Sequence, residues 1–139
     1  MRIFVVAALV LAATVATAQE RTPSPAGAEA YIISPKHGAK VSAPVVVQFG
    51  LKGMGIAPAG VKFDNTGHHH LLIDTDPPAD LSQPLPVSDK VVHFGKGQTE
   101  TTLNLPLGKH TLQLLLGDQN HIPHNPPVMS RKITITVTN

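Results

Sequence analysis

The stretch Arg131-Lys132-Ile133-Thr134-Ile135-Thr136-Val137-Thr138 alternates apolar and polar side chains. In an extended chain Ile133, Ile135 and Val137 share one face and Lys132, Thr134 and Thr136 the other, the period of a half-buried strand. Upstream, Leu112, Leu114 and Leu116 form a second such face within His110–Gly117. The same reading gives strands near Ala30–Ser34, Val45–Leu51, His69–Asp74, Val91–Phe94 and Thr99–Leu105. No segment carries a helical period, and 13 prolines and 11 glycines punctuate the chain. About seven short strands with regular turns predict an all-β fold, an immunoglobulin-like antiparallel β-sandwich.

Two further stretches fit that architecture. Ile33-Ser34-Pro35 followed by Gly38, Val41 and Pro44-Val45-Val46-Val47 resembles the opening strands of many bacterial immunoglobulin-like domains. Leu105-Pro106-Leu107-Gly108-Lys109-His110-Thr111-Leu112, then Gly117-Asp118, resembles the corner, penultimate strand and exit of the same fold.

The N-terminus sets the expected compartment. Arg2 precedes an apolar run, Ile3–Val15, and Ala16-Thr17-Ala18 has the small-x-small pattern of a cleavage site. Residues 1–18 therefore read as a Sec-type signal peptide of a bacterial periplasmic or secreted protein, the apolar run being too short for a membrane span. Residues 19–28 read as a flexible Pro/Ser/Gly linker and 29–139 as the sandwich domain. With no cysteine, burial and hydrogen bonds must hold the fold. Without Arg2, 10 basic side chains face 9 acidic ones, which gives no electrostatic case for nucleic acid or an anionic membrane.

The unusual chemistry of the chain is imidazole. Of its eight histidines, six fall in three patches: His68-His69-His70, His93, and His121 with His124. In the expected sandwich, the connections after the second, fourth and sixth strands gather at one end. All three patches then meet there, with Met54 in the first of those loops. Histidine is the commonest metal ligand. His68 and His70 share a face in extended chain and read as ligands, joined by His121, His124, His93 and Met54. His69 points with Leu71 and Ile73 and reads as structural. Each candidate has a plainer alternative, a loop histidine bonded to a backbone carbonyl or, for Met54, packing. His110 reads as a structural corner residue and His37 as solvated.

Gly67-His68-His69-His70-Leu71-Leu72-Ile73-Asp74, His93-Phe94-Gly95-Lys96-Gly97-Gln98-Thr99-Glu100-Thr101, Gly108-Lys109-His110-Thr111-Leu112-Gln113-Leu114, and Gly117-Asp118 through His121 and His124 occur in this order. Together they resemble an exported bacterial family, domain of unknown function 4399, over about Ala30 to Val137. Leu107 stands where that family usually has proline. The resemblance implies a small exported domain and brings no activity with it.

Three functions follow as expectations. The first is a periplasmic metal-binding protein, a copper chaperone or buffer, with zinc as the alternative ion and a periplasmic partner to receive it. Copper is favoured by the lack of thiolates and by Met54, and protonation below about pH 6 would release the ion. The second is a non-metal module that docks a protein or envelope ligand. The third, an enzyme using Glu100 or Asp118 as general base, is disfavoured because no nucleophile motif is present.

Overall fold

The structure is a computed structural model that describes residue 13 and residues 20–139. The expected signal peptide, apart from Ala13, lies outside the described residues. Among the described residues nine strands follow in order: β1 (Glu29–Ser34), β2 (Lys40–Ser42), β3 (Val45–Lys52), β4 (Gly55–Ile56), β5 (Thr66–Ile73), β6 (Val91–His93), β7 (Glu100–Leu103), β8 (Gly108–Gly117) and β9 (Ile133–Thr138). One sheet has the order β1-β3-β7. The other runs β2-β9-β8-β5-β4, with β6 also paired to β5. The fold is all-β, as the alternating pattern predicts. Among the described residues no helix is long and apolar enough to cross a membrane.

The inward side chains of both sheets form the main core. Ala30, Ile32, Val45, Val47 and Phe49 meet Leu71, Ile73, Leu112, Leu114, Leu116, Ile133, Ile135 and Val137. The period of two in β9 is visible in its burial, where Ile133, Ile135 and Val137 are buried and their neighbours are not. β8 behaves differently, being buried without interruption from Leu112 to Gly117. The larger sheet is covered on both faces there. A second, smaller core of Leu72, Leu85 and Leu115, flanked by Leu81 and Met129, lies on the face away from the main core.

Two expectations about connectivity change. The expected seven strands become nine, because the short β2 and β4 pair in parallel with β9 and β5. More consequentially, the fourth strand of an immunoglobulin-like sandwich lies in the sheet of the first, second and fifth, but the Val91–Phe94 stretch does not join β1, β3 and β7. As β6 it lies antiparallel to β5, with His70 opposite His93, Leu71 opposite Val92 and Leu72 opposite Val91. Its own alternation suits that place. Val92 packs against the main core, while Val91 is buried opposite Leu72, the residue that anchors the second core.

The expected linker is also tied down. Pro23 forms a parallel bridge with Asn125, and the Ser24 amide donates to the Asn125 carbonyl at 3.1 Å.

A four-histidine candidate metal centre

Register places three of the clustered histidines on a sheet face. In β5, His69, Leu71 and Ile73 point inward, so His68, His70 and Leu72 point outward. β8 sets Gly117 opposite His68 and Leu115 opposite His70. On the other side of β5, His93 sits opposite His70. These ligand candidates therefore stand on strands, and on the outer face of the larger sheet rather than on loops at the end of the sandwich.

The fourth comes from the loop after β8. His121 has a left-handed backbone, φ 65°, a conformation in which histidine is several-fold enriched among non-glycine residues. Asp118 builds the turn that holds it there. The His121 amide donates to the Asp118 carbonyl at 2.9 Å, and the Asn120 and Ile122 amides donate to Asp118 Oδ1 at 2.8 and 3.1 Å. The His121 carbonyl accepts from the Leu85 amide at 2.9 Å, which fastens the loop to the second core.

His68, His70, His93 and His121 each offer a ring nitrogen within 4.8 Å of the others. His68 Nε2 lies 3.1 Å from His121 Nδ1 and 3.1 Å from His93 Nε2. One ring nitrogen carries either a proton or an in-plane lone pair, so it cannot serve both neighbours as hydrogen-bond partner. His68 Nδ1 and both nitrogens of His70 are buried without a partner. Buried polar atoms are seldom left so. A cation among the four nitrogens would accept the lone pairs that the hydrogen-bond geometry cannot satisfy. Nitrogens around a tetrahedral ion stand roughly 3.3 Å apart, so the cluster needs to close by no more than about 1.5 Å.

Glycine makes the space. A Cβ on Gly117 would lie 2.7 Å from His70 Cε1, and one on Gly95 would lie 2.3 Å from His93 Cε1. Burial lowers His68 to about 4, aided by the nearby rings of His121 and His93. Burial lowers His70 to about 3, with His68, His93 and His121 adding to it. His93 is lowered by burial and by His121. These three rings are neutral near pH 7, the state a metal ion needs.

The other candidates lie elsewhere. His124 is wholly buried, but its Nε2 faces the Thr66 carbonyl at 3.2 Å and it is not among the four converging rings. Its role in the structure is to tie the loop to the start of β5. Met54 packs against the main core. His69 is buried edge-on to Phe49, with ring centroids 5.3 Å apart. His110 donates to the Pro106 carbonyl and pairs with Asp74, both at 2.7 Å. His37 is exposed and accepts from the Thr134 amide at 3.0 Å. Glu100 is on β7, in the opposite sheet.

Sequence reasoning missed the glycines that shape the centre and the part played by Asp118 in placing His121. Gly67-His68 and Gly117-Asp118 flank the ligands in sequence, but only the register shows which side chains they clear. The model of one protein family, Domain of unknown function (DUF4399), matches residues 47–138. No curated protein and no solved structure matches the chain.

Proposed function

The chain belongs to the family Domain of unknown function (DUF4399), and we propose that it is a metal-binding protein whose ion is held by His68, His70, His93 and His121. The observation that carries this reading is the convergence of four ring nitrogens within 4.8 Å, two pairs of them at 3.1 Å. Four neutral imidazoles suit copper(II), zinc and nickel, and the general affinity order puts copper(II) ahead of zinc. A thioether ligand would favour copper(I), but Met54 packs against the core. Copper(II) is the proposed ion and zinc the alternative.

The proposed role is capture and delivery. Four protein ligands fill the shell of a four-coordinate ion, whereas a catalytic zinc keeps a position open. Asp118 is committed to the loop amides and Glu100 stands in the other sheet, which supports binding over a reading that uses either as general base. The apolar N-terminus supports export to the periplasm, where a partner would receive the ion. Since burial lowers His68 to about 4 and His70 to about 3, protons compete for these two ligands well below pH 6.

The test is titration of the protein with copper(II) and zinc at pH 7.5. One equivalent should bind far more tightly than the micromolar level of incidental surface imidazoles, about −8 kcal/mol. Binding that is no tighter, or that survives His68→Ala and His70→Ala unchanged, overturns the reading.

A further inference from the structure

Three of the four ligand candidates are fixed by strand pairing, and His121 alone depends on a loop. Besides the Leu85 amide and the His124–Thr66 contact, a segment far away in sequence, before the run matched by the family, holds that loop from outside. Thr22 Oγ1 donates to Asp118 Oδ2 at 2.7 Å. Arg21 Nε donates to the Pro123 carbonyl at 3.1 Å, and Arg21 Nη2 donates to the His124 carbonyl. The Asn125 amide donates to the Thr22 carbonyl at 2.9 Å, the Ser24 amide to the Asn125 carbonyl at 3.1 Å, and Ser24 Oγ to the Pro126 carbonyl at 2.7 Å. Every one of these bonds crosses from Arg21–Ser24 to the loop that carries His121.

We propose that the Arg21–Ser24 segment is a working part of the metal centre, a clamp that holds the Asp118–Pro126 loop so that His121 stands ready to ligate. Thr22 and Arg21 are its positioning residues. The division of labour within Asp118 supports this. Oδ1 accepts from the amides that shape the turn, while Oδ2 is held by Thr22. Losing the clamp frees the buried carboxylate to turn, and with it the left-handed backbone at His121. A loop that must be ordered when the ion arrives lowers its affinity by the conformational entropy of that ordering, and a clamped loop has lost this freedom beforehand.

The inference rests on the metal reading, and one set of experiments separates the two. Copper(II) and zinc are titrated into the full chain, into Thr22→Val and into Thr22→Ser. Thr22→Val keeps the shape and removes the hydroxyl, and should lower affinity about tenfold or more, the usual effect of losing an outer-shell hydrogen bond. Thr22→Ser should restore it. Metal-free Thr22→Val should still unfold cooperatively, at a Tm lowered only by the loss of one hydrogen bond to a buried carboxylate, which a general loss of fold would not allow. Arg21→Gln serves as a second variant should Thr22→Val unfold.

Coupling is reciprocal, so bound metal must in turn tighten the clamp. Trypsin cleavage after Arg21, followed by mass spectrometry, should slow on metal addition in the parent chain. If the parent takes up no metal, the reading of the centre falls and the clamp with it. If the parent binds but Thr22→Val binds within twofold of it, the clamp alone is overturned. Cleavage after Arg21 that ignores bound metal overturns it as well.

Discussion

At Gly117 a single methyl group would stand where the His70 ring lies, 2.7 Å from Cε1 and 3.3 Å from the His121 carbonyl carbon. Gly117→Ala should therefore displace His70, lowering metal affinity more than tenfold and stability by about 1–3 kcal/mol, as overpacking does. Titration and urea unfolding of the same variant read both, and unchanged affinity would place the ion elsewhere. A contrast between histidines tests the ligand set. His70→Ala should weaken binding by on the order of 100-fold, about one ligand's share of a four-ligand site. His124→Ala should leave affinity much closer to the parent while costing about 1–3 kcal/mol, because Thr66 loses a buried partner. Equal effects on affinity would restore His124 as a ligand. The pairing of His68 with His70 was legible in the sequence, since residues two apart share a strand face. The separation of His124 from His121 was not, because it depends on a left-handed residue in a loop without periodicity.

At the scale of elements, the strands were legible and their partners less so. β9 and β8 follow from alternation, and the continuous burial of β8 follows from a sheet covered on both sides. The pairing of β6 with β5 brings His93 opposite His70, yet alternation says which face a residue takes and not which strand lies beside it. The Asp74–His110 pair shows elements being pinned from the other end of β5. His110 on β8 pairs with Asp74, which follows β5, while Asp74 Oδ1 accepts from the Thr111 amide at 2.9 Å. Hydrogen bonding to Asp74 holds His110 above its ordinary value against the effect of burial. For Asp74 burial pushes upward, but hydrogen bonds from His110 and the Thr111 amide prevail and hold it below. The His110 contribution is complete below its unfolded value of 6.5 and fades as pH rises through the raised folded value. The Asp74 contribution is complete above its unfolded value of 3.8 and fades as pH falls through the lowered one. His110→Gln should therefore depress Tm most between about pH 4 and 6.5 and less at alkaline pH. A Tm difference that does not vary with pH would reduce the pair to an uncharged packing contact.

For the whole molecule the buried imidazoles act in the opposite sense to His110. His68 and His69 are lowered to about 4 and His70 to about 3. Each stays neutral in the folded chain while the unfolded chain takes up a proton below 6.5. Their stabilising effect is present above the unfolded value and is lost as pH falls toward the folded ones. Three such groups give a limiting slope on the order of 4 kcal/mol per pH unit. One to two pH units of acid within that window then remove about 4–8 kcal/mol, comparable with the whole stability of a domain this size. The metal-free protein should unfold in mild acid, and denaturant midpoints measured from pH 7.5 to pH 4.5 would show it. Bound metal adds an offset and leaves that slope in place, since His68 and His70 are already neutral in the folded chain above about pH 4. An ion on His68 and His70 holds them deprotonated in the folded state and adds about 2.7 kcal/mol at a free concentration 100 times Kd. His69, edge-on to Phe49 in the main core, and His124, lowered mainly by burial, lie outside the ligand set. Metal should therefore shift the acid transition to lower pH without abolishing it. A transition that metal leaves in place would mean that the ion does not engage His68 and His70.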